Sequence, residues 1–188
     1  MIECRRDNWE GHEITSASLN TFGKRHFLYG RIEVRAKLPT GLGTWPAIWM
    51  LGTNIGEVGW PNCGEVDIME NVGFEPNEIY GTVHTEAYNW TNGSARGSHI
   101  TASPPPFEGY HVYAVEWFAD RIDFYLDDQS YFSFANEGTS ATWPFDKETY
   151  LLVNFAFGGG WGGAQGVDTN LLPLQYYIDY VRVYDQAE

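Results

Sequence analysis

The chain has 188 residues, enough to bury a sizeable core and few enough for one domain. Aromatic residues make up 16%, while 21 glycines and 9 prolines break the sequence at short intervals and no stretch carries a helical period, so an all-β fold is expected. With 25 acidic and 11 basic residues the net charge is −14, which argues against a nucleic-acid partner, and no apolar run approaches the roughly 18 residues of a membrane span.

Alternation of apolar and polar residues predicts nine strands, the first over residues 13–21. The second, 27–38, contains "GRIEVRAKLP", with Ile32, Val34, Ala36 and Leu38 on one face and Glu33, Arg35 and Lys37 on the other. Arg35 is positioned either to bind sugar hydroxyls or to pair with an acid. The third, 45–51, holds "TWPAIWMLG", in which Trp45 and Trp49 lie four apart and hence on one side. After the acidic strand 65–72, the strand 78–88 returns through "GFEPN" and brings His84 toward Glu65 and Asp67. Residues 89–109 form a polar loop rich in Gly, Ser, Thr and Pro. Strands 111–119 and 121–134 follow, the former with Trp117, Val115 and Tyr113 on one buried face. Strand 149–157 leads into "FGGGWGGAQG", where Trp161 stands among glycines, and strand 174–184 carries Asp179. Short strands without helices leave a two-sheet sandwich or a barrel. An antiparallel jelly-roll, concanavalin-like sandwich over residues 1–188, with a concave sheet forming a cleft, is preferred. Cys4 and Cys63 could pair or stay free, and neither belongs to a metal-ligand pattern.

The segment "GEVDIMENVG" puts Glu65, Asp67 and Glu70 within six positions. Strict alternation would send Glu70 to the face opposite Glu65 and Asp67. A β-bulge at Ile68 or Met69 would restore a shared face, and bulges are favoured beside active sites. Glu65 and Glu70 would then lie about 13 Å apart at Cα, and inward-leaning side chains would bring their carboxyls to about 5 Å, the spacing of retaining glycosidases. Three neighbouring acids cannot all ionise cheaply, so one should stay protonated as a general acid. Glu65 and Glu70 would serve as nucleophile and acid/base, in an order that spacing leaves open, with Asp67 as their electrostatic partner. A solvated strand face or a calcium-binding cluster is the bland alternative. Sugars stack on aromatic rings, so Trp45, Trp49 and Trp161, with His84 and Arg35, are the expected substrate-binding residues.

These segments resemble glycoside hydrolase family 16 and, within it, the laminarinases. The similarity runs through "TSASLNT", "YGRIEVRAKLPTGLGTWPAIWMLG", "GEVDIMENVG", "GTVHT", "YHVYAVEW", "LLVNFAFGGGWGG" and "YYIDYVRVY", in the family's order. The resemblance implies a jelly roll and an endo-β-1,3-glucanase that works by retention, with Glu65 as nucleophile and Glu70 as acid and base. It implies no catalytic cofactor. The six-residue acid spacing is similar to laminarinases, agarases and carrageenases, whereas lichenases look more like E-x-D-x-E; the Trp pair and "ENVG" point to glucan. Asp179 matches a position that in many relatives helps bind a structural calcium. Relatives carry further strands before "RRDNWEGHE", so the catalytic domain is expected to be N-terminally truncated, with exposed sheet edges. A soluble monomer acting outside the cell or in the periplasm on β-glucan, with no nucleic acid or membrane partner, is implied. A non-catalytic β-glucan-binding protein and a galactan hydrolase are the alternatives. Asn89 ("NWT") and Asn92 ("NGS") are sequons for a eukaryotic secretory route.

Overall fold

The computed structural model describes residues 1–185. In chain order its strands are β1 (Ile2–Trp9), β2 (His12–Thr15), β3 (Ser18–Asn20), β4 (Gly30–Lys37), β5 (Thr44–Gly52), β6 (Glu65–Glu70), β7 (Glu78–His84), β8 (Arg96–Thr101), β9 (His111–Trp117), β10 (Arg121–Leu126), β11 (Gln129–Ala135), β12 (Thr149–Phe157) and β13 (Leu174–Tyr184). One helical turn, α1 (Ile55–Val58), interrupts the loop between β5 and β6.

All pairings are antiparallel. They build a seven-stranded sheet in the order β11-β10-β9-β4-β13-β1-β2 and a six-stranded sheet in the order β3-β12-β5-β6-β7-β8. The crossovers that place β4 beside β9 and β12 beside β5 give the jelly-roll sandwich that the sequence pattern implies. Period-two alternation explains the core. Ile32, Val34 and Ala36 of β4 and Tyr113, Val115 and Trp117 of β9 point inward from the first sheet; Ile48, Met50, Val66, Val83, Val153 and Phe155 meet them from the second. Trp117 is fully buried and donates its indole N–H to the Phe145 carbonyl at 3.1 Å. Cys4 and Cys63 are both buried free thiols, and burial pushes the Cys4 thiol up to about 11.

Four features differ from the sequence pattern, the first being β1, which pairs with β13 and β2 ahead of the first expected strand. The expected strand 13–21 divides at Ser16–Ala17: β2 pairs with β1 in one sheet and β3 with β12 in the other. The expected strand 121–134 is a hairpin whose two-residue turn, Asp127–Asp128, has φ of 47° and 66°, the left-handed pair of a type I′ turn. The polar loop 89–109 contains β8, an edge strand whose residues are largely exposed.

The second sheet turns its outer face to the cleft, and a close approach just after β6 fixes that face. A Cβ at Gly73 would lie 1.7 Å from the Gly41 carbonyl oxygen and 2.7 Å from Thr44 Oγ1, so no side chain fits. Gly73→Ala is expected to lower stability by about 2–4 kcal/mol, a fall of roughly 5–10 °C in Tm by scanning calorimetry.

Candidate active site

The acidic strand carries the bulge. On the β5 side Trp49 lies opposite Asp67 and Ala47 opposite Glu70, while on the β7 side Asp67 meets Thr82 and Glu70 meets Tyr80. Three steps on β6 therefore match two on each neighbour. Ile68 and Met69 both turn inward, each at 0% exposure. Since Ala47 and Trp49 share one face of β5, Glu70 rejoins Asp67 and Glu65 on the cleft face.

Side chains from adjacent strands surround the three acids. Glu70 Oε1 accepts the Trp45 indole N–H at 2.9 Å, and Glu65 Oε2 accepts that of Trp60, also at 2.9 Å. His84 Nε2 lies 3.2 Å from Asp67 Oδ2 and 3.9 Å from Glu65 Oε1. Trp49 donates to Asn154 Oδ1 at 2.7 Å, which fixes its ring against β12. Trp161 stands edge-on to Trp45, with centroids 5.8 Å apart, and to Tyr80 at 5.0 Å. Positive φ at Gly158 and Gly159, 78° and 75°, turns the chain out of β12 and returns Trp161 over the sheet.

Two cavities flank the carboxylates. One of about 260 Å³ is lined by Trp45, Ala47, Trp49, Asn154 and Ala156 with the three acids. The other, about 650 Å³, lies between Trp90 and Trp161 over Thr82, His84 and the same acids. The cleft thus crosses the strands with acid at its centre and indoles on both sides, a shape suited to a chain of sugar rings.

Burial sets the electrostatics. Desolvation, then the charge of Asp67, pushes the Glu65 carboxyl up to about 9. Asp67, 4% exposed, is pushed well above the usual carboxylate range by desolvation and by Glu70. Desolvation also raises Glu70, against the lowering effect of the Trp45 hydrogen bond. The same desolvation lowers His84, despite Glu65 and Glu70 nearby, and so favours the neutral imidazole. The cluster relieves its repulsion by holding protons on carboxyl groups.

The structure brings together Glu65, Asp67, Glu70, Trp45, Trp49, His84 and Trp161. It does not bring Arg35 into the cleft. Arg35 is on β4 of the other sheet, where it pairs with Asp179 at 2.6 Å and covers the Tyr110 ring at 4.7 Å. Alternation correctly gave Arg35 an outward face but could not say on which sheet. Asp179 is the extra residue where β13 shifts register against β4. Its carboxylate, about half exposed, is engaged by the guanidinium at the outer face of that sheet. Among the described residues, the one group of three metal-capable side chains is Glu65, Asp67 and His84. Asn89 is also unsuited to its sequon role: it is 4% exposed, and its amide donates to the Thr85 and Glu86 carbonyls.

Sequence reasoning missed Trp60 and Trp90. Trp60 lies in a turn and Trp90 opens a short 3-10 helix, Trp90–Asn92, both outside any strand whose parity could be read. Trp60 packs on Trp90 at 5.9 Å and on His84 at 6.0 Å. "GWPNCGE" places an indole five residues before Glu65, and that spacing was the available signal. Trp60→Phe removes one N–H donor from Glu65 while keeping the ring; a roughly 10-fold fall in kcat/KM on a glucan is expected from steady-state assays.

A jelly-roll sandwich whose cleft holds clustered carboxylates between indole walls defines a carbohydrate-active protein of the glycosidase class. The chain belongs to glycosyl hydrolases family 16, whose profile matches residues 5–182. It is 48% identical over 196 residues to a beta-glucanase of Rhodothermus marinus, covering 100% of this chain and 68% of that protein. It is 36% identical over 182 residues to glucan endo-1,3-beta-glucosidase A1 of Niallia circulans, covering 93% of this chain but 27% of that protein. The crystal structure of the laminarinase from Rhodothermus marinus superposes with a TM-score of 0.95 at 48% identity, over 99% of this chain and 77% of that one.

Proposed function

We propose that this chain is an endo-β-1,3-glucanase that cleaves laminarin-like glucans, and mixed-linkage β-1,3-1,4-glucans, with retention of anomeric configuration. The observation that carries this reading is the bulge at Ile68–Met69, which gathers three buried carboxylates on one face of an indole-walled cleft. The glucanase names of the relatives support the choice of substrate.

In the first half-reaction protonated Glu70 gives its proton to the glycosidic oxygen as the Glu65 carboxylate attacks the anomeric carbon from the opposite face. In the second, Glu70 takes a proton from water, and the water displaces Glu65. Glu65 must be ionised to attack. A proton on Asp67 removes the second cause of the Glu65 elevation, the Asp67 charge, and the Trp60 N–H donated to Oε2 favours the carboxylate against the larger effect of desolvation, so the attacking species is the ionised fraction of Glu65. Desolvation of Glu70 favours its protonated form, as a general acid needs. The reaction needs no metal step in this reading. The enzyme acts as a monomer outside the cytoplasm, where polymeric glucan is found.

The test is reducing-sugar release from laminarin, with proton NMR of the first product. Appearance of the β-anomer first is expected; the α-anomer first would overturn the retaining mechanism. Glucan binding by calorimetry without any sugar release would instead favour a recognition protein that uses the same cleft.

A further inference from the structure

The acid cluster has a second chemical capacity that hydrolysis does not use. Glu65, Asp67 and His84 each offer one ligand atom, and these atoms all lie within 4.8 Å of one another. Asp67 Oδ2 is buried and, among the described residues, has no hydrogen-bond partner of good geometry, although His84 Nε2 stands 3.2 Å away. A tetrahedral zinc ion with ligands at about 2.0–2.1 Å separates its donor atoms by about 3.3 Å. The observed His84–Asp67 separation of 3.2 Å fits this edge, while the His84–Glu65 separation of 3.9 Å and the Glu65–Asp67 separation, within 4.8 Å, close on the ion by a turn of the Glu65 side chain. Glu65 can ligate through Oε1 because Trp60 holds Oε2, an outer contact that orients the carboxylate.

We propose that Glu65, Asp67 and His84 bind one zinc ion, or a divalent transition metal of similar preference, and that this ion reversibly blocks the cleft. Two carboxylates and a neutral imidazole match the ion's charge and its borderline ligand preference. Calcium and magnesium fit poorly, since they require more oxygen ligands and avoid imidazole. All three side chains line the cavity between Trp90 and Trp161, from which an ion would enter. Metal-bound Glu65 can no longer act as a nucleophile, so glucan and zinc exclude each other. The metal site itself rests on geometry; the blocking effect rests on the hydrolase reading.

The experiment is calorimetric titration of zinc chloride into the purified chain in a non-chelating buffer, on wild type, Asp67→Asn and His84→Gln, with exposed His99→Gln as the surface control. Expected are one ion per wild-type chain, removal by EDTA, at least about 30-fold weaker binding in Asp67→Asn and His84→Gln, and no change in His99→Gln. No saturable binding to wild type, or binding within threefold of wild type in both cluster variants, would overturn the site. Circular dichroism shows whether each variant is folded. Wild-type kinetics provide a test free of mutation: zinc inhibition competitive with laminarin supports the block, and absent or non-competitive inhibition overturns it. A chain that binds zinc as expected yet releases no sugar when metal-free would refute the hydrolase reading and leave the metal site standing.

Discussion

Glu65→Gln is expected to reduce laminarin hydrolysis roughly 10⁴-fold or more and, at the same time, to raise the melting temperature at pH 8. The activity falls because an amide cannot form the glycosyl ester. The stability gain follows from burial. In the unfolded chain the Glu65 carboxyl ionises near 4.5, whereas in the fold desolvation and Asp67 push it up to about 9. Below pH 4.5 it is protonated in both states and imposes no ionisation penalty. As pH rises from 4.5 toward 9 the unfolded chain ionises freely while the folded one resists, so folding stability is lost through that window. Glutamine does not ionise. The advantage of the variant should therefore be small at pH 5 and reach about 1–3 kcal/mol, or roughly 3–8 °C, at pH 8. Asp67 is raised for the same cause and adds to the wild-type penalty. Calorimetric scans at both pH values check the sign; a variant that melts at or below wild type at pH 8 would contradict the burial argument.

The same strand shows how far sequence reaches. The parity conflict in "GEVDIMENVG" was legible because two-residue periodicity is strict, and the only local remedy is one extra residue. Ile68 and Met69 turning inward together are that remedy. Trp45, Trp49 and His84 were legible for a related reason: each lies at a fixed parity on a strand adjacent to the acids. Arg35 and Asp179 show where parity stops. It assigns an outward face but not a sheet, and only the pairing of β4 with β9 and β13 puts both residues on the far side of the sandwich. The division at Ser16–Ala17 was hidden because alternation continues through a change of hydrogen-bonding partner. Likewise Asp127–Asp128 reads as an acidic strand interior until the positive φ values reveal a turn. Trp60 and Trp90 reach the acids through loop geometry, which no period encodes.

Glu70→Ala is the complementary variant, and it separates the two proposed roles. Laminarin has a poor leaving group that needs protonation, so hydrolysis should fall roughly 10³–10⁴-fold. A dinitrophenyl β-laminaribioside needs no such help, and its first step should survive through Glu65. The glycosyl-enzyme then lacks a base to activate water and accumulates. Azide, an anion that needs no deprotonation, would enter the space left by the carboxyl, attack the ester and restore turnover, giving the β-glycosyl azide by two inversions. In Glu65→Ala the geometry predicts the opposite product. Azide would occupy the nucleophile's place beneath the sugar, Glu70 would still protonate the leaving group, and one inversion would give the α-azide. The Trp45 N–H, 2.9 Å from Glu70 Oε1, and the Trp60 N–H, 2.9 Å from Glu65 Oε2, remain in place to orient the small anion in each case. Proton NMR of the azide products decides the assignment: β-azide from Glu65→Ala with α-azide from Glu70→Ala would exchange the two roles, and the absence of rescue in both variants would remove the double displacement altogether.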